Sequence, residues 1–330
     1  MSPSPCAENL LPMSIHITPE ELHEELCRDV RIGLLRKHDK HLSPVWFYDQ
    51  RGSYLFDQIT KLPEYYLTRA ETALLEDHAS VIAEQTRVAT LIELGAGTCT
   101  KSRFLLNAFS ELGSLRHYVP IDISAPTLWN AANVLALEYS DLSIHPVVGD
   151  FRRHADKVEH ECPAMLAFLG STIGNLRSES RREFLSYLSR SMHPGDTLLI
   201  GVDLVKDVPK MVAAYDDSSG VTAAFNRNVL SVLNNELGAD FNLANYEHVV
   251  VWNEHDSCIE MRLKALRAGT VKVAELGEIL DFSVGEEILT ETSAKFTSVQ
   301  LRRELEASGF MPLDDWESPS DGFLLMLASL

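Results

Sequence analysis

Residues 89–101 read ATLIELGAGTCTK and place an apolar run directly before two glycines, Gly95 and Gly97. A run of this length is typical of a buried strand, and glycine lets the following turn approach a ligand closely. A helical pattern begins near Lys101, so the stretch predicts a strand, a glycine turn and a helix. Thr100 stands where a dinucleotide-binding fingerprint has its third glycine, so the turn departs from that fingerprint.

Strands and helices alternate from this stretch as far as residue 204. Helices are predicted over 124–137 and 178–190. Apolar strands are predicted at HYVPID (117–122), IHPVVGDF (144–151), AMLAFLGS (164–171) and DTLLIGVDL (196–204). Strands that are apolar throughout are typical of a parallel sheet with helices on both sides. The pattern therefore predicts a doubly wound, Rossmann-like α/β domain.

The alternation stops in the stretch 207–295. This stretch predicts one helix near 219–236, followed by strands without helices between them, at 248–252, 259–265 and 270–275. A last helix (298–309) and strand (323–330) return to the first pattern. We therefore expect an α+β lobe inserted into the doubly wound domain.

Charge and composition exclude several classes of protein. The chain has 330 residues, with 29 Lys and Arg against 48 Asp and Glu, and a formal net charge of −19. A field of this sign repels phosphate groups, so we expect no nucleic-acid partner and no membrane partner. No apolar run reaches the roughly 18 residues of a membrane-spanning helix. The first 17 residues carry no Lys or Arg, unlike a signal peptide.

The five cysteines are scattered without a CxxC pair, which favours reduced thiols and a cytoplasmic protein. Neither an HExxH motif nor a His/Cys cluster with metal-ligand spacing is present, so we expect no metal. We expect a monomer that acts on a small molecule.

Three features follow three successive strands of the predicted sheet: the Gly95 turn, Asp122, and Asp150 with Phe151. The carboxyl ends of parallel strands meet at the edge where open α/β sheets bind ligands. Asp122 can accept both ribose hydroxyls of an adenosine, while Asp150 suits the exocyclic amine of adenine and Phe151 its ring. Each feature alone fits a tight turn or a helix cap. Together they favour an adenosyl cofactor over NAD.

Tyrosines cluster outside this half of the chain, at Tyr48, Tyr65, Tyr66 and Tyr215. Tyrosine is usually a core residue, but a sulfonium methyl donor and a methylated amine are both cationic. Aromatic faces stabilise such cations by about 0.5–2 kcal/mol each. Asn175, after the fourth strand, either holds a substrate carboxylate or caps the next helix.

Glu291 and Ser293 are two polar residues at positions i and i+2. In an extended strand both side chains point to the same side. Such a pair suits an imidazole, because the carboxylate accepts from one ring N–H and the hydroxyl donates to the other nitrogen. The same spacing also fits two exposed side chains on a strand edge.

Five strings of the sequence together resemble the L-histidine Nα-methyltransferases of ergothioneine biosynthesis. They are WFYDQRGSYLFDQITKLPEYYLTR (46–69), ELGAGTCTK (93–101), FLGSTIGN (168–175), AYDDSSGVTAAFNRNVL (214–230) and ILTETSAKF (288–296). The resemblance extends from about residue 20 to 330. It implies a class I methyltransferase fold in which S-adenosylmethionine is the methyl donor and no metal takes part.

The resemblance also implies a role for each matched position. The cofactor-binding positions are Gly95, Lys101, Asp122, Asp150 and Phe151. The substrate-binding positions are Tyr65, Asn175, Tyr215, Met261, Glu291 and Ser293. Among these, Asn175 and Tyr215 hold the substrate carboxylate, and Tyr65 and Met261 line the pocket around the ring. Tyr48 lies at the amine as the catalytic residue.

The implied organisation has three parts. Residues 1–17 are an extension outside the match that we expect to be disordered. Residues 18–69 and 205–295 form the substrate-binding lobe, and residues 70–204 and 296–330 form the methyltransferase domain. The implied reaction is three methyl transfers to the α-amine of L-histidine, which give hercynine. The alternative is an enzyme of the same fold that methylates another aromatic amino acid, such as tryptophan.

Overall fold

The computed structural model describes residues 11–330 of the chain. Its elements, in chain order, are β1 (Ser14–Ile15), α1 (Pro19–Gly33), β2 (Lys40–His41), α2 (Gln50–Ile59), α3 (Tyr66–Thr86), β3 (Thr90–Leu94), α4 (Ser102–Leu112), β4 (His117–Asp122), α5 (Ala125–Glu138), β5 (Ser143–Ile144), β6 (Val147–Val148), α6 (Phe151–His154), β7 (Ala164–Phe168), α7 (Ser178–Ser191), β8 (Thr197–Asp203), α8 (Val208–Ala213), α9 (Val221–Leu237), β9 (Tyr246–Asn253), β10 (Cys258–Ala265), β11 (Gly269–Val273), β12 (Glu278–Phe282), β13 (Glu287–Ala294), α10 (Ser298–Ala307), β14 (Met311–Glu317) and β15 (Phe323–Ser329).

The central sheet has the order β1-β6-β4-β3-β7-β8-β15-β14, with β5 beside β4. Its strands are parallel from β1 to β8, while β15 runs antiparallel to both of its neighbours. After β3 the chain builds one side of the sheet with β4 and β6, and then the other side with β7 and β8. The order therefore reverses between β3 and β7, where open α/β sheets bind ligands.

Apolar side chains on both faces of the sheet form two cores. Leu91 and Met165 belong to one hydrophobic cluster, whereas the adjacent Ile92 and Leu166 belong to the other. Because successive strand residues point to opposite faces and both faces are covered, β3 and β7 are buried at every position. The predicted doubly wound α/β fold, with an inserted α+β lobe, is confirmed.

The lobe contains a second sheet with the order β2-β13-β10-β9 and a hairpin of β11 and β12. In it, β2 comes from the N-terminal segment and pairs in parallel with β13, with Lys40 opposite Ile288. The ammonium of Lys40 holds Glu286 at 2.6 Å and fixes this junction. The division of the chain into a discontinuous lobe and a methyltransferase domain remains our proposal, and this pairing supports it.

The prediction that residues 1–17 are disordered is wrong for Ser14 and Ile15. Residues 1–10 lie outside the described residues, but Ser14 and Ile15 form an edge strand beside Val147 and Val148. The backbone N–H of His16 donates to the carbonyl of Val148 at 2.8 Å. The reason is that β6 would otherwise leave its backbone groups unpaired at the edge of the sheet.

Over residues 11–330, no helix is long and apolar enough to cross a membrane.

Candidate functional site

The glycine turn after β3 lies at the carboxyl edge of the sheet. Gly95 and Gly97 have φ angles of +71° and +53°, which residues other than glycine rarely adopt. The N–H groups of Gly95 and Ala96 donate to the carbonyl of Ile121 at 2.9 and 3.0 Å, so the turn folds over the end of β4. A Cβ on Gly95 would lie 3.5 Å from the ring of Phe151. The turn is therefore a cradle that a larger residue would begin to fill.

Asp122 lies beside this cradle. Its carboxylate accepts the N–H of Gly97 and the N–H of Ser124, each at 2.8 Å. Burial raises its pKa above the ordinary value, although these N–H groups act against the rise. Each of these two N–H groups holds one of the two carboxylate oxygens. Each oxygen therefore keeps a further acceptor position for a hydroxyl of a diol.

Asp150 and Phe151 begin α6 at the same edge. The guanidinium of Arg152 donates to both oxygens of Asp150 at 2.7 to 3.1 Å, and the Arg152 backbone N–H donates at 3.0 Å. Burial raises the pKa of Asp150, but the Arg152 ion pair outweighs it and holds the pKa below the ordinary value. Phe151 packs against Phe168, with ring centroids 5.1 Å apart. Phe151 thus lies at the carboxyl edge of the sheet, whereas the Asp150 carboxylate is already engaged by Arg152.

Lys101 connects the glycine turn with β7. Its ammonium binds Glu71, a fully buried carboxylate of α3. Glu71 also accepts the N–H of Gly170 at 2.7 and 2.9 Å. Glu71 was not predicted as part of the site, and it fixes Lys101 at the carboxyl edge of the sheet.

Tyr48 follows a 3-10 helix (Pro44–Phe47) and lies among aromatic side chains. Its ring centroid is 5.7 Å from that of Phe56 and 5.8 Å from that of Phe225. Phe56 in turn lies 6.3 Å from Tyr65. The structure therefore brings Tyr48 and Tyr65 together and adds two phenylalanines that the sequence reasoning missed. Within the strings 46–69 and 214–230, their only signal was aromatic composition.

Burial strongly affects the phenol groups of this aromatic cluster. It raises the pKa of Tyr48, Tyr65 and Tyr215 well above the ordinary value, and the Glu291 carboxylate adds to the rise in all three. All three phenols therefore stay protonated near neutral pH. In the described part of the chain, the hydroxyls of Tyr48 and Tyr65 have no hydrogen-bond partner, which leaves them free for a ligand.

Glu291 lies on β13, directly opposite Met261 of β10. Cross-strand partners point to the same face, so Met261 forms a wall beside the carboxylate, and Ser293 shares that face. Burial raises the pKa of Glu291 to about 7, despite the opposing charge of Lys295. No side chain or backbone group of residues 11–330 donates a hydrogen bond to this carboxylate. A half-buried acid without a donor is the strongest local sign of a ligand site.

Ser293 belongs to a buried polar cluster that the sequence did not predict. Its hydroxyl lies 2.8 Å from that of Tyr215, and the ammonium of Lys295 donates to both, at 3.0 and 2.9 Å. Lys295 is fully buried and pairs with the buried Asp203 at 3.0 Å. Because an ammonium only donates, both hydroxyl oxygens accept from it. One hydroxyl hydrogen bridges Tyr215 and Ser293, and a single hydrogen remains for a ligand.

Asn175 ends a 3-10 helix (Thr172–Asn175) that packs on β13. A Cβ on Gly174 would lie 3.0 Å from the carbonyl oxygen of Ala294, so only glycine permits this close contact. The contact places Asn175 near the end of the strand that carries Ser293. Its side-chain amide makes no hydrogen bond to another described residue.

A comparison with known proteins finds relatives along nearly the whole chain. Residues 26–330 match the family described as histidine-specific, SAM-dependent methyltransferase. The chain is 46% identical over 318 residues to a histidine N-alpha-methyltransferase of Mycolicibacterium smegmatis, covering 96% of this chain and 99% of that protein. It is also 46% identical over 314 residues to a histidine N-alpha-methyltransferase of Mycobacterium tuberculosis, covering 95% and 98%. An L-tryptophan methyltransferase of Psilocybe serbica is 26% identical over 326 residues, covering 89% and 90%.

Proposed function

The chain belongs to the family of histidine-specific, S-adenosylmethionine-dependent methyltransferases, and from this premise we propose its reaction and the role of each site residue. The reaction is trimethylation of the α-amine of L-histidine to hercynine, the first step of ergothioneine biosynthesis. The observation that carries the proposal is the carboxylate of Glu291, which is half-buried without a donor on the same strand face as Ser293.

The residues at the carboxyl edge of the sheet fit S-adenosylmethionine. The Gly95 cradle admits the ligand, the remaining acceptor positions of Asp122 take the ribose hydroxyls, and Phe151 packs on the adenine. Lys101, held by Glu71, also contacts the cofactor. Asp150 can reach the adenine amine only if the half-exposed side chain of Arg152 turns away from it.

The imidazole of histidine lies between Glu291 and Ser293. The carboxylate accepts the ring N–H, and the Ser293 hydroxyl donates to the bare ring nitrogen. Tyr215 and Ser293 share one available hydrogen, so they cannot both donate to the substrate. We assign that hydrogen to Ser293, because the free amide of Asn175 can hold the substrate carboxylate. Tyr215 then donates to Ser293 and contacts the substrate through its oxygen and ring.

Tyr48 orients the amine. S-adenosylmethionine supplies a methyl group already activated on a sulfonium, so positioning is the main task of the protein, and no metal is needed for the transfer. The protonated phenol of Tyr48 accepts a hydrogen bond from the amine N–H and aims the nitrogen lone pair at the methyl group. The amine proton leaves to water. Tyr48, Phe56 and Phe225 stabilise the growing positive charge, and the reaction ends when the nitrogen has no lone pair.

The second candidate is methylation of tryptophan or another aromatic amino acid, as the L-tryptophan methyltransferase of Psilocybe serbica suggests. An indole has one N–H and no bare ring nitrogen, so it would leave Ser293 without its acceptor at a cost of about 1–3 kcal/mol. Histidine is therefore favoured. Glu291→Ala, combined with a smaller residue at Met261, should weaken histidine use and admit bulkier aromatic substrates.

Mass spectrometry of a reaction with S-adenosylmethionine and a mixture of the standard amino acids tests the proposal. We expect histidine to gain three methyl groups. Methylation of another amino acid would show that the pocket is wrongly assigned to histidine. If protein that binds the cofactor forms no methylated product, the proposed activity is overturned.

We also propose that the protein works as a monomer in the cytoplasm on this small-molecule substrate. The thiols of Cys27, Cys99, Cys162 and Cys258 are free, which supports a reducing compartment. Light scattering of the purified protein tests the monomer, and a dimer would contradict it.

A further inference from the structure

Four potential metal ligands converge at the edge of the sheet opposite the methyl-transfer site. They come from the two loops that precede β7 and β8. The group consists of His160, Cys162, His193 and Asp196, and their ligand atoms all lie within 4.8 Å of one another. The sequence predicted no metal, because it has no His/Cys cluster with metal-ligand spacing, and only the fold brings these two loops together. We propose that this cluster binds a zinc ion that joins the two loops.

The distances among three of the ligand atoms fit a tetrahedral site. Nε2 of His160 lies 2.9 Å from Oδ2 of Asp196 and 3.2 Å from Nδ1 of His193. Nδ1 of His193 lies 3.7 Å from the same Asp196 oxygen. Zinc bonds of about 2.0–2.1 Å to nitrogen and oxygen give tetrahedral edges of about 3.3 Å. One ion therefore reaches all three atoms with small adjustments, and the exposed side chain of Cys162 can rotate to complete the set.

The hydrogen bonds around His160 prepare its ring as a ligand. Nδ1 lies 3.1 Å from the carbonyl oxygen of Val158, which can only accept, so Nδ1 carries the proton. In the neutral ring Nε2 then presents a lone pair toward a carboxylate oxygen and a second histidine nitrogen. The 2.9 Å contact of Nε2 with Oδ2 of Asp196 then brings two acceptor atoms together, which requires either a proton on Nε2 or a cation between them. Metal-bound histidines commonly donate their other N–H to a backbone carbonyl in this way.

Asp196 is similarly held in place. It is fully buried, its Oδ1 accepts the N–H of Ala164 at 2.8 Å, and its Oδ2 accepts the N–H of His193 at 2.8 Å. Two histidines, a thiolate and a carboxylate form a ligand set that suits zinc. Four protein ligands leave no open position, so the ion would stabilise the loops and take no part in methyl transfer.

Metal analysis of tag-free protein, followed by calorimetric titration with ZnCl₂, tests the proposal. We expect one zinc per chain with a dissociation constant tighter than about 1 μM, and a higher melting temperature with zinc. The double change Cys162→Ser with His193→Ala removes two exposed ligands without opening the core. Loss of a hydrogen-bond partner of a metal ligand weakens metal binding roughly 10–100-fold. Loss of two ligands should weaken zinc binding by more than that. Cobalt in place of zinc should give a thiolate charge-transfer band that Cys162→Ser abolishes.

The control is His23→Ala, which alters a separate group formed by His23, Cys27 and Glu275. We expect this variant to bind zinc at the proposed site as the unchanged protein does. Failure of the unchanged protein to bind zinc would overturn the proposal and leave an ion pair between His160 and Asp196. Binding that survives the double change, or that disappears with His23→Ala, would also overturn it. Cofactor binding by each variant shows that the fold is intact, and none of these outcomes depends on the proposed reaction.

Discussion

Replacing Glu291 by glutamine should stabilise the ligand-free protein while impairing histidine binding. Burial raises the pKa of Glu291 from an ordinary 4.5 to about 7. In the unfolded chain the group ionises near 4.5, whereas in the folded protein it ionises only near 7. Its favourable contribution to folding is therefore complete below about pH 4.5 and is lost as the pH rises to about 7.

The rise in pKa sets the size of the effect. At about 1.4 kcal/mol per pKa unit, ionised Glu291 costs the folded protein about 3 kcal/mol at alkaline pH. Glutamine has nearly the same shape and no charge, so it avoids this cost. The free energy of unfolding of Glu291→Gln, relative to that of the unchanged protein, should increase by about 2–3 kcal/mol between pH 5 and pH 8.

Urea unfolding of both proteins at these two pH values, without ligands, measures the difference. Glu247→Gln is the matched control, because Glu247 is an exposed residue of β9 in the same sheet. The difference in unfolding free energy between this variant and the unchanged protein should be the same at both pH values. The reasoning is refuted if the advantage of Glu291→Gln does not grow with pH. Calorimetry should show weaker histidine binding by the same variant, because glutamine cannot replace the carboxylate as an ionic acceptor.

Four further outcomes are expected. The kcat/KM for histidine should fall as the pH drops through about 7, where Glu291 takes up a proton; a pH–rate profile without this limb would contradict its role. Tyr48→Phe should lower kcat by up to about a hundredfold, with histidine affinity little changed in calorimetry; a change in affinity alone would refute the orienting role. Asp122→Asn should weaken S-adenosylhomocysteine binding roughly tenfold to a hundredfold, and unchanged affinity would remove Asp122 from the cofactor site. Lys295→Met should destabilise the protein by about 1–3 kcal/mol in urea unfolding, because Asp203 loses one of its two ammonium partners and keeps only Lys206. Combining it with Asp203→Asn should change the stability by less than the sum of the two single changes, and additive effects would contradict the pairing.

The sequence predicted the central sheet well because its strands are buried on both faces. The predicted strand 117–122 coincides with β4, and the predicted strand 164–171 contains β7. Period-two geometry also placed Glu291 and Ser293 on one face of a strand, as β13 shows. Short-range patterns of this kind depend on neighbouring residues alone, so the sequence records them directly.

Features that depend on an edge or on distant partners were not predicted. The strand β14 (MPLDDWE) lies at the edge of the sheet and is only partly buried, so it lacked the apolar run that marked the other strands. Pro146, which has no N–H to donate, separates β5 from β6 in the predicted strand 144–151. Lysine is rarely buried, so no local pattern indicates that Lys295 lies against Asp203. The cluster of His160 and His193 was not predicted because its members come from two separate loops that only the fold brings together.

The pairing of β2 with β13 constrains the order in which parts of the protein can fold during synthesis. Lys40 and Ile288 lie at opposite ends of the chain, so their strands can meet only after most of it has left the ribosome. Contacts of such long sequence separation form late, because closing the intervening loop costs entropy. Tyr48 follows β2, which is synthesised early, and Glu291 lies on β13, which is synthesised late. A nascent chain can therefore assemble the strands around the glycine turn long before it has a pocket for an amino acid, and a truncation before β13 should leave a protein without that pocket.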